Sequence, residues 1–441
     1  MIRKKIEIFA DRALEYTLYG MIFYIPISNA LIESLFVFAL LFFVIKKMAK
    51  PEFKFLENYT YLFLMFFLYF SIASFINSGI YFEKSVKALF FKWLEYILMF
   101  IVVHDTFLNK PKRLWIAILI FLSVSGLIAI DGIFQQLTKI DFIRHRSWFY
   151  VTASFKNPND FGAYLVAIGL MVIALLFYGT GKYKTLSHTT ETSQRRVLES
   201  RQRRDEVSCS SLKKQYRYKK IAFGDNFGAI FSGWKTLSLL AVLLNICLIL
   251  TFSRGAWIGF LAGLFLLIFF SKKKKIFYVL VCNIMSFILI PALRSRVLNT
   301  FQPGGDAFRF TIWPVAISMI KENPFLGKGV GTFMAYFSKY PTDLSPQYAH
   351  NCFLQIWAET GIFSLISFLL FAGLLLYQGI KKFRKDNDPV LLGLVCGAFG
   401  FLVHSFFDTN LYSLQLATLF WVLMGLISAK VSSNSRVLDN S

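Results

Sequence analysis

The chain has 441 residues, of which 56% are hydrophobic, 18% aromatic and only 17% charged, with a mean hydropathy of +0.55. This composition excludes an ordinary soluble domain. A net charge of +23, from 48 Lys+Arg against 25 Asp+Glu, would suit a nucleic-acid binder. The basic residues, however, form short clusters between apolar stretches, which is the pattern of membrane topology and not of a nucleic-acid surface.

In chain order, apolar windows near 14–28, 31–46, 60–77, 89–104, 114–130, 161–178, 236–252, 255–271, 276–292, 352–378, 389–406 and 411–429 are each expected to form a helix. A hydrocarbon core of roughly 30 Å takes about 20 residues of helix, so the expectation is an all-α polytopic membrane protein with about twelve transmembrane helices. The MIRKK start and the run to Ala30 loosely imitate a signal peptide, but Asp11, Arg12 and Glu15 interrupt the run, so a retained first helix is expected.

Alternate loops carry Arg3-Lys4-Lys5, Lys46-Lys47, Lys110/Lys112/Arg113, Lys272 to Lys275 and Lys381/Lys382/Arg384/Lys385. The positive-inside rule puts these clusters, and both termini, in the cytoplasm. The division expected is residues 1–179 with six spans, a cytoplasmic basic insert over 180–235, spans seven to twelve over 236–430, and a cytoplasmic tail at 431–441. The insert carries thirteen Lys+Arg, and its low apolar content around Thr185 to Glu206 suits a partly disordered segment. On the opposite face lie about 131–160 and a long loop over 293–351, between spans nine and ten. The second should hold an amphipathic run from Asp306 to Ile320 and then a tight turn in NPFLGKGVGTF, 323–333.

Polar residues at span edges are costly in hydrocarbon and therefore informative. Asn157, Asn159 and Asp160, then Ser253 and Arg254, His350 and Asn351, and His404 and Asp408 all fall at the external ends of their spans. Arg254 is either a snorkelling cation or a guanidinium fork for a phosphate, with Gly255 permitting close approach. Arg309 shares a helical face with Trp313, as a headgroup anchor or a second phosphate ligand. His350 is a helix-end residue or a general base. Glu359 is a packing carboxyl or a partner for an arginine. His404 and Asp408, four apart, either cap each other across a turn or touch substrate.

Absences narrow the chemistry. No GxxxxGK[ST] loop is present, the external carboxylates Asp131, Asp141, Asp160, Asp306 and Asp343 stand singly, and the five cysteines form no CxxC pair. The expectation is no metal and no cofactor. No 20–50-residue repeat of the kind a duplicated transporter would show is visible, although a flippase for lipid-linked glycans is the rival outside the enzymes.

SRGAWIGF (253–260), FRFTIWPVAISMIKENPFLGKGVGTF (308–333), AHNCFLQIWAETGIFSLI (349–366) and SFFDTNLYSLQLATLFWVLMGL (405–426), with Asn157-Pro158-Asn159-Asp160-Phe161, resemble the O-antigen ligase family. That family shares its domain with O-antigen polymerases and O-linked oligosaccharyltransferases. The resemblance implies a GT-C-type membrane glycosyltransferase of the bacterial inner membrane, with its site facing the periplasm. It implies metal-free, inverting transfer of a glycan from undecaprenyl pyrophosphate to the lipid A core oligosaccharide. By position, Arg254 and Arg309 would hold the pyrophosphate and His350 would activate the acceptor hydroxyl, with Asn157, Asn159, Asn351 and Glu359 contacting substrate. A polymerase or a protein-directed transferase would use the same donor. The insert at 180–235 is larger than such ligases usually carry.

Overall fold

The computed structural model describes residues 2–53, 58–147, 149–179, 233–271, 273–299, 307–340 and 348–433. The expected insert, apart from its last three residues, lies outside these, as do Pro303 to Asp306 and the tail beyond 433. Among the described residues the regular elements are all helices, with one isolated bridge between Ile140 and Ser147. The helices are α1 (Ile2–Tyr24), α2 (Asn29–Ala49), α3 (Thr60–Ala73), α4 (Phe82–Ala88), α5 (Leu94–Phe107), α6 (Pro111–Thr138), α7 (Pro158–Tyr178) and α8 (Trp234–Leu250). Then follow α9 (Arg254–Ser271), α10 (Ile276–Leu289), α11 (Pro291–Leu298), α12 (Ala307–Glu322), α13 (Phe333–Phe337), α14 (Cys352–Asp386), α15 (Pro389–His404) and α16 (Leu414–Ser432).

Each of the twelve apolar windows falls on a helix. Among the described residues, seven helical stretches are long and apolar enough to cross a membrane, and an eighth is added if α10 and α11, bent by 82° at Ile290, count as one span. The protein is therefore a polytopic helical membrane protein, and the full count of twelve remains an expectation. The shortfall comes from short or charged elements: α8 and α15 are apolar but below 18 residues, and α1 is charged through its first half.

Among the described residues of the 293–351 region, α11, α12 and α13 account for most of the chain. α12 buries Ile312, Val315, Ala316, Met319 and Ile320 in a small second core with Phe333, Phe337, Ala349 and Ala358. This is the apolar face of the amphipathic run turned inward onto protein.

The basic clusters gather at one end of the bundle. Lys46 reaches Asp11 at 2.7 Å and Asp105 at 2.8 Å, Lys110 meets Asp11 at 2.8 Å, and Arg113 meets Glu15 at 2.8 Å. These pairs tie together the like ends of α1, α2, α5 and α6. Lys430 reaches Asp388 at 2.5 Å, and the Asn109 amide donates to Ser433 Oγ, which joins the ends of α14 to α16 to the same face.

Two helices in the centre cross very closely. A Cβ on Gly259 would stand 2.6 Å from the Gly400 carbonyl oxygen, and one on Gly263 would stand 2.9 Å from that of Cys396. Small residues let membrane helices approach backbone to backbone. This crossing of α9 and α15 brings the start of one against the end of the other, so Arg254 and His404 become neighbours.

The tight turn predicted in 323–333 plugs a break in α14. Gly361 has φ +81°, which interrupts the helix and leaves backbone groups unpaired. Lys328 N donates to Ala358 O at 3.0 Å, Gly329 N to Glu359 O at 2.8 Å, and Ile362 N to Pro324 O at 3.0 Å. Non-helical backbone survives at membrane depth only where protein satisfies it, and here the turn does so. Gly327, at φ +67°, would place a Cβ 2.3 Å from the Glu359 carbonyl carbon.

Gly361→Ala should therefore cost at least about 2 kcal/mol, from left-handed strain plus a Cβ 2.0 Å from Phe325 O. Gly373→Ala on the same helix, where a Cβ meets nothing within 4 Å, should be close to neutral. Thermal unfolding of the two variants in detergent reads the difference, and equal midpoints would contradict the splice.

Candidate active site

Three interruptions of helical backbone meet at the end of the bundle opposite the basic clusters. The first is the break between α8 and α9, where Phe252 adopts φ +52° and Ser253 precedes Arg254. The second is the approach to α14, where His350 has φ +45° and Asn351 caps the helix by accepting from Phe353 N and Leu354 N. The third is the 405–413 connection between α15 and α16. A bulky residue with positive φ is strained and persists only where its surroundings fix it, which makes Phe252 and His350 informative.

A cavity of about 160 Å³ opens at the first break, lined by Asn159, Phe252, Ser253, Arg254, Gly255, Arg296, Arg309 and His404. It is smaller than the roughly 300 Å³ at which drug-sized ligand pockets begin, so it fits a compact group and not a sugar chain. Three of its lining residues are guanidinium-bearing, and none of the described lining residues is a carboxylate. Two helices also begin there: Arg254 and Gly255 open α9, and Asn159 stands in the first turn of α7. Helix N-termini present unpaired N–H groups and a positive dipole end. Everything in this cavity favours a compact anion.

The two sequence-selected arginines thus share one cavity, and the structure adds Arg296 and His404. Arg296 was passed over because it sits among the basic residues of PALRSRVL in a segment read as loop. Only the 82° turn at Ile290-Pro291 swings it back over Phe252. His404 was read as a partner of Asp408. Its Nδ1 instead lies 3.0 Å from Asn410 Nδ2, and its other ring edge packs on Gly255, where a Cβ would be 2.9 Å from His404 Cδ2.

His350 does not line this cavity but adjoins it through two consecutive residues. Arg309 Nη2 donates to the Phe407 carbonyl at 2.8 Å, and Asp408 Oδ1 sits 3.1 Å from His350 Nδ1. The same connection is pinned from below, where Cys352 N donates to Ser405 O at 2.9 Å. Burial works against the charge of Asp408, but its hydrogen bond to His350 and the nearby His350 and His404 rings hold its carboxyl down at about 2. An ionised carboxylate on Nδ1 fixes the imidazole tautomer and aims Nε2 away from Asp408. The His350 side chain is 29% exposed.

The other expected contacts have structural occupations. Asn157 caps α7 by accepting from Asp160 N at 2.8 Å. Asn351 is the cap described above. Glu359 does not pair with an arginine. Its buried carboxylate accepts from Gly331 N, Phe333 N, Gln355 Nε2 and Tyr412 Oη at 2.9 to 3.2 Å, and so anchors the turn that repairs α14. Of the four, Asn159 alone faces the cavity. The external carboxylates Asp131 and Asp141 likewise hold loop backbone, accepting from Phe142 N and Arg146 N.

Residues 239–369 match the family model described as O-antigen ligase. Over 163 residues, 32% of the chain, the sequence is 31% identical to the ComP-specific O-oligosaccharyltransferase of Acinetobacter baylyi. The match spans 30% of that relative's length. The family segment contains Arg254, Arg296, Arg309 and His350, together with the glycine-rich turn and its partner Glu359.

A carboxylate held below its ordinary value near 4 stabilises the fold above that value, and the benefit disappears as pH falls toward 2. Asp408 should therefore contribute about 2 kcal/mol that is lost between about pH 4 and pH 2. Unfolding measured in detergent across this range should show a steeper acid loss in the wild type than in Asp408→Asn. Parallel curves would contradict the His350–Asp408 pairing.

Proposed function

We propose, from the O-antigen ligase-type domain that residues 239–369 form, that this chain is a membrane glycosyltransferase taking its glycan from a polyprenyl-diphosphate donor at the outer face of the bacterial inner membrane. The observation that carries the reading is the arginine cavity beside a histidine with an ionised carboxylate on its inner nitrogen. Such a pair of sites handles both halves of a displacement. A donor already activated as its diphosphate needs no nucleotide, and guanidinium groups take the charge-neutralising part that a divalent ion plays elsewhere.

In the reaction, His350 Nε2 takes the proton of the acceptor hydroxyl as its oxygen bonds to the anomeric carbon. The bond from that carbon to the diphosphate oxygen breaks, and the electron pair leaves on the diphosphate. Arg254 and Arg309 stabilise that developing charge through paired N–H donors, and the start of α9 adds its backbone dipole. Asp408 holds the imidazole in position and balances the imidazolium it becomes, in the manner of a catalytic carboxylate behind a histidine. Attack from the side opposite the diphosphate inverts the anomeric centre.

The acceptor in this reading is the lipid A core oligosaccharide, which makes the chain an O-antigen ligase. The similarity to a ComP-specific O-oligosaccharyltransferase favours a second reading in which a Ser or Thr hydroxyl of a protein is glycosylated. The two readings share every residue of the donor site and differ in what reaches His350.

Purified protein in lipid with a polyprenyl-diphosphate glycan should show kcat reduced about 10²- to 10³-fold by Arg254→Ala or Arg309→Ala. His350→Ala should reduce it about 10²- to 10⁴-fold. Wild-type turnover in His350→Ala with normal membrane insertion would remove the base assignment. Offering lipid A core and a Ser/Thr-containing acceptor protein separately should yield product with the first alone; product with only the second would establish the protein-directed reading.

A further inference from the structure

Beside the arginine cavity lies a second, open groove of about 1020 Å³, walled in part by Gln136, Tyr150, Leu250, Ala292 and Ser295. Phe252 and Arg296 line both spaces, so they form the neck between them. Arg296 is held there by three features. The bend at Ile290 turns α11 across the top of α10, Arg296 Nε donates to the carbonyl of strained Phe252 at 3.4 Å, and the guanidinium lies 5.7 Å from the centre of the Tyr150 ring. Tyr150 in turn packs on Phe252, the rings tilted by 36° with centres 5.2 Å apart.

A bound diphosphate has two substituents, and the geometry decides which leaves on which side. Arg309 links the cavity to Phe407 and, through the next residue, to Asp408 and His350, whereas Arg296 and Phe252 link it to the groove. If His350 activates the acceptor, the reacting carbon lies on its side, and the polyprenyl chain must depart past Arg296. The groove suits that chain. Phe149, Tyr150, Leu250, Phe252 and Ala292 form its apolar wall beside polar positions that include Lys139, Ser147 and Asn299, and the helices flanking it carry outward apolar residues, with Leu137 78% and Leu289 68% exposed. Through them the groove opens toward the lipid from which a polyprenyl donor comes.

We propose that Arg296 binds the phosphate nearer the polyprenyl chain, at the neck through which that chain passes into the groove. This rests on the glycosyltransferase reading above. It gives the three arginines different duties: Arg254 and Arg309 meet the departing charge, whereas Arg296 contacts a phosphate whose bonds do not change. An interaction equal in ground and transition states lowers KM without raising kcat.

The test uses the full chain reconstituted in lipid, with the concentration of a polyprenyl-diphosphate glycan varied. Arg296→Ala should raise the donor KM roughly tenfold or more while kcat changes less than about threefold, with acceptor KM unaltered and partial recovery in Arg296→Lys. Ser295→Trp, at an exposed groove-wall position, should raise KM for a long-chain donor and spare a donor with a two-isoprene chain. A donor KM unchanged in both variants overturns the proposal. So does a Ser295→Trp effect that follows glycan length and not chain length, because the groove would then hold sugar. Absence of transfer by the wild type from either donor would remove the glycosyltransferase reading itself, and this proposal with it.

Discussion

The arrangement depends on a helix that is broken where it should not be. α14 loses its hydrogen-bond ladder at Gly361, and in hydrocarbon unpaired amides and carbonyls cost several kcal/mol each. The glycine-rich turn after α12 supplies the missing partners, with Gly327 and Gly361 fitting backbone against backbone. Glu359 then accepts from two further amides of the same turn. This splice fixes α12 against α14. It therefore fixes where Arg309, at the start of α12, stands relative to His350, at the start of α14.

A second constraint acts from the other side. The small-residue crossing of α9 and α15 sets Arg254 beside His404, and the connection after His404 runs on to Phe407 and Asp408. Those two neighbours complete the assembly, one through its carbonyl to Arg309 and one through its carboxylate to His350. Two packing devices converge on a two-residue stretch. Packing and hydrogen bonds thus fix the residues around the arginine cavity, as electrostatic stabilisation would demand, since dipoles that must reorganise during reaction lose their value.

Much of this was legible in the sequence. The helices are visible because bilayer thickness imposes a length on them, and the polar span edges are visible because hydrocarbon makes them rare. The joint role of Arg254 and Arg309 is proposed from a resemblance and from chemistry, and the structure adds only that both line one cavity. What stayed hidden depends on tertiary direction. Arg296 looks like any loop cation until Pro291 turns it back over Phe252. Glu359 looks like a charge partner until the broken helix shows which donors it must satisfy. Asn157 and Asn351 carry the ordinary signature of a helix cap, and they are caps. The amphipathic run is legible as a helix, but its apolar face packs on protein, whereas a membrane surface is the simpler partner to read from the sequence.

The division of labour has a consequence for specificity. In the proposed reaction the donor diphosphate would be recognised by charge, on arginines that lie within the matched segment. A hydroxyl acceptor offers no comparable charge, so its selection falls to the surfaces around His350: Tyr348, its ring neighbour Tyr412 and the exposed face of Phe406. Aromatic faces of this kind stack on sugar rings or on protein side chains with little discrimination, while hydrogen-bonding contacts around them reject a wrong partner far more strongly than apolar ones do. Acceptors as different as a lipid-borne oligosaccharide and a protein hydroxyl can therefore be served by one donor site and one base. The change from one to the other requires new contacts at the rim and no alteration of the arginine cavity.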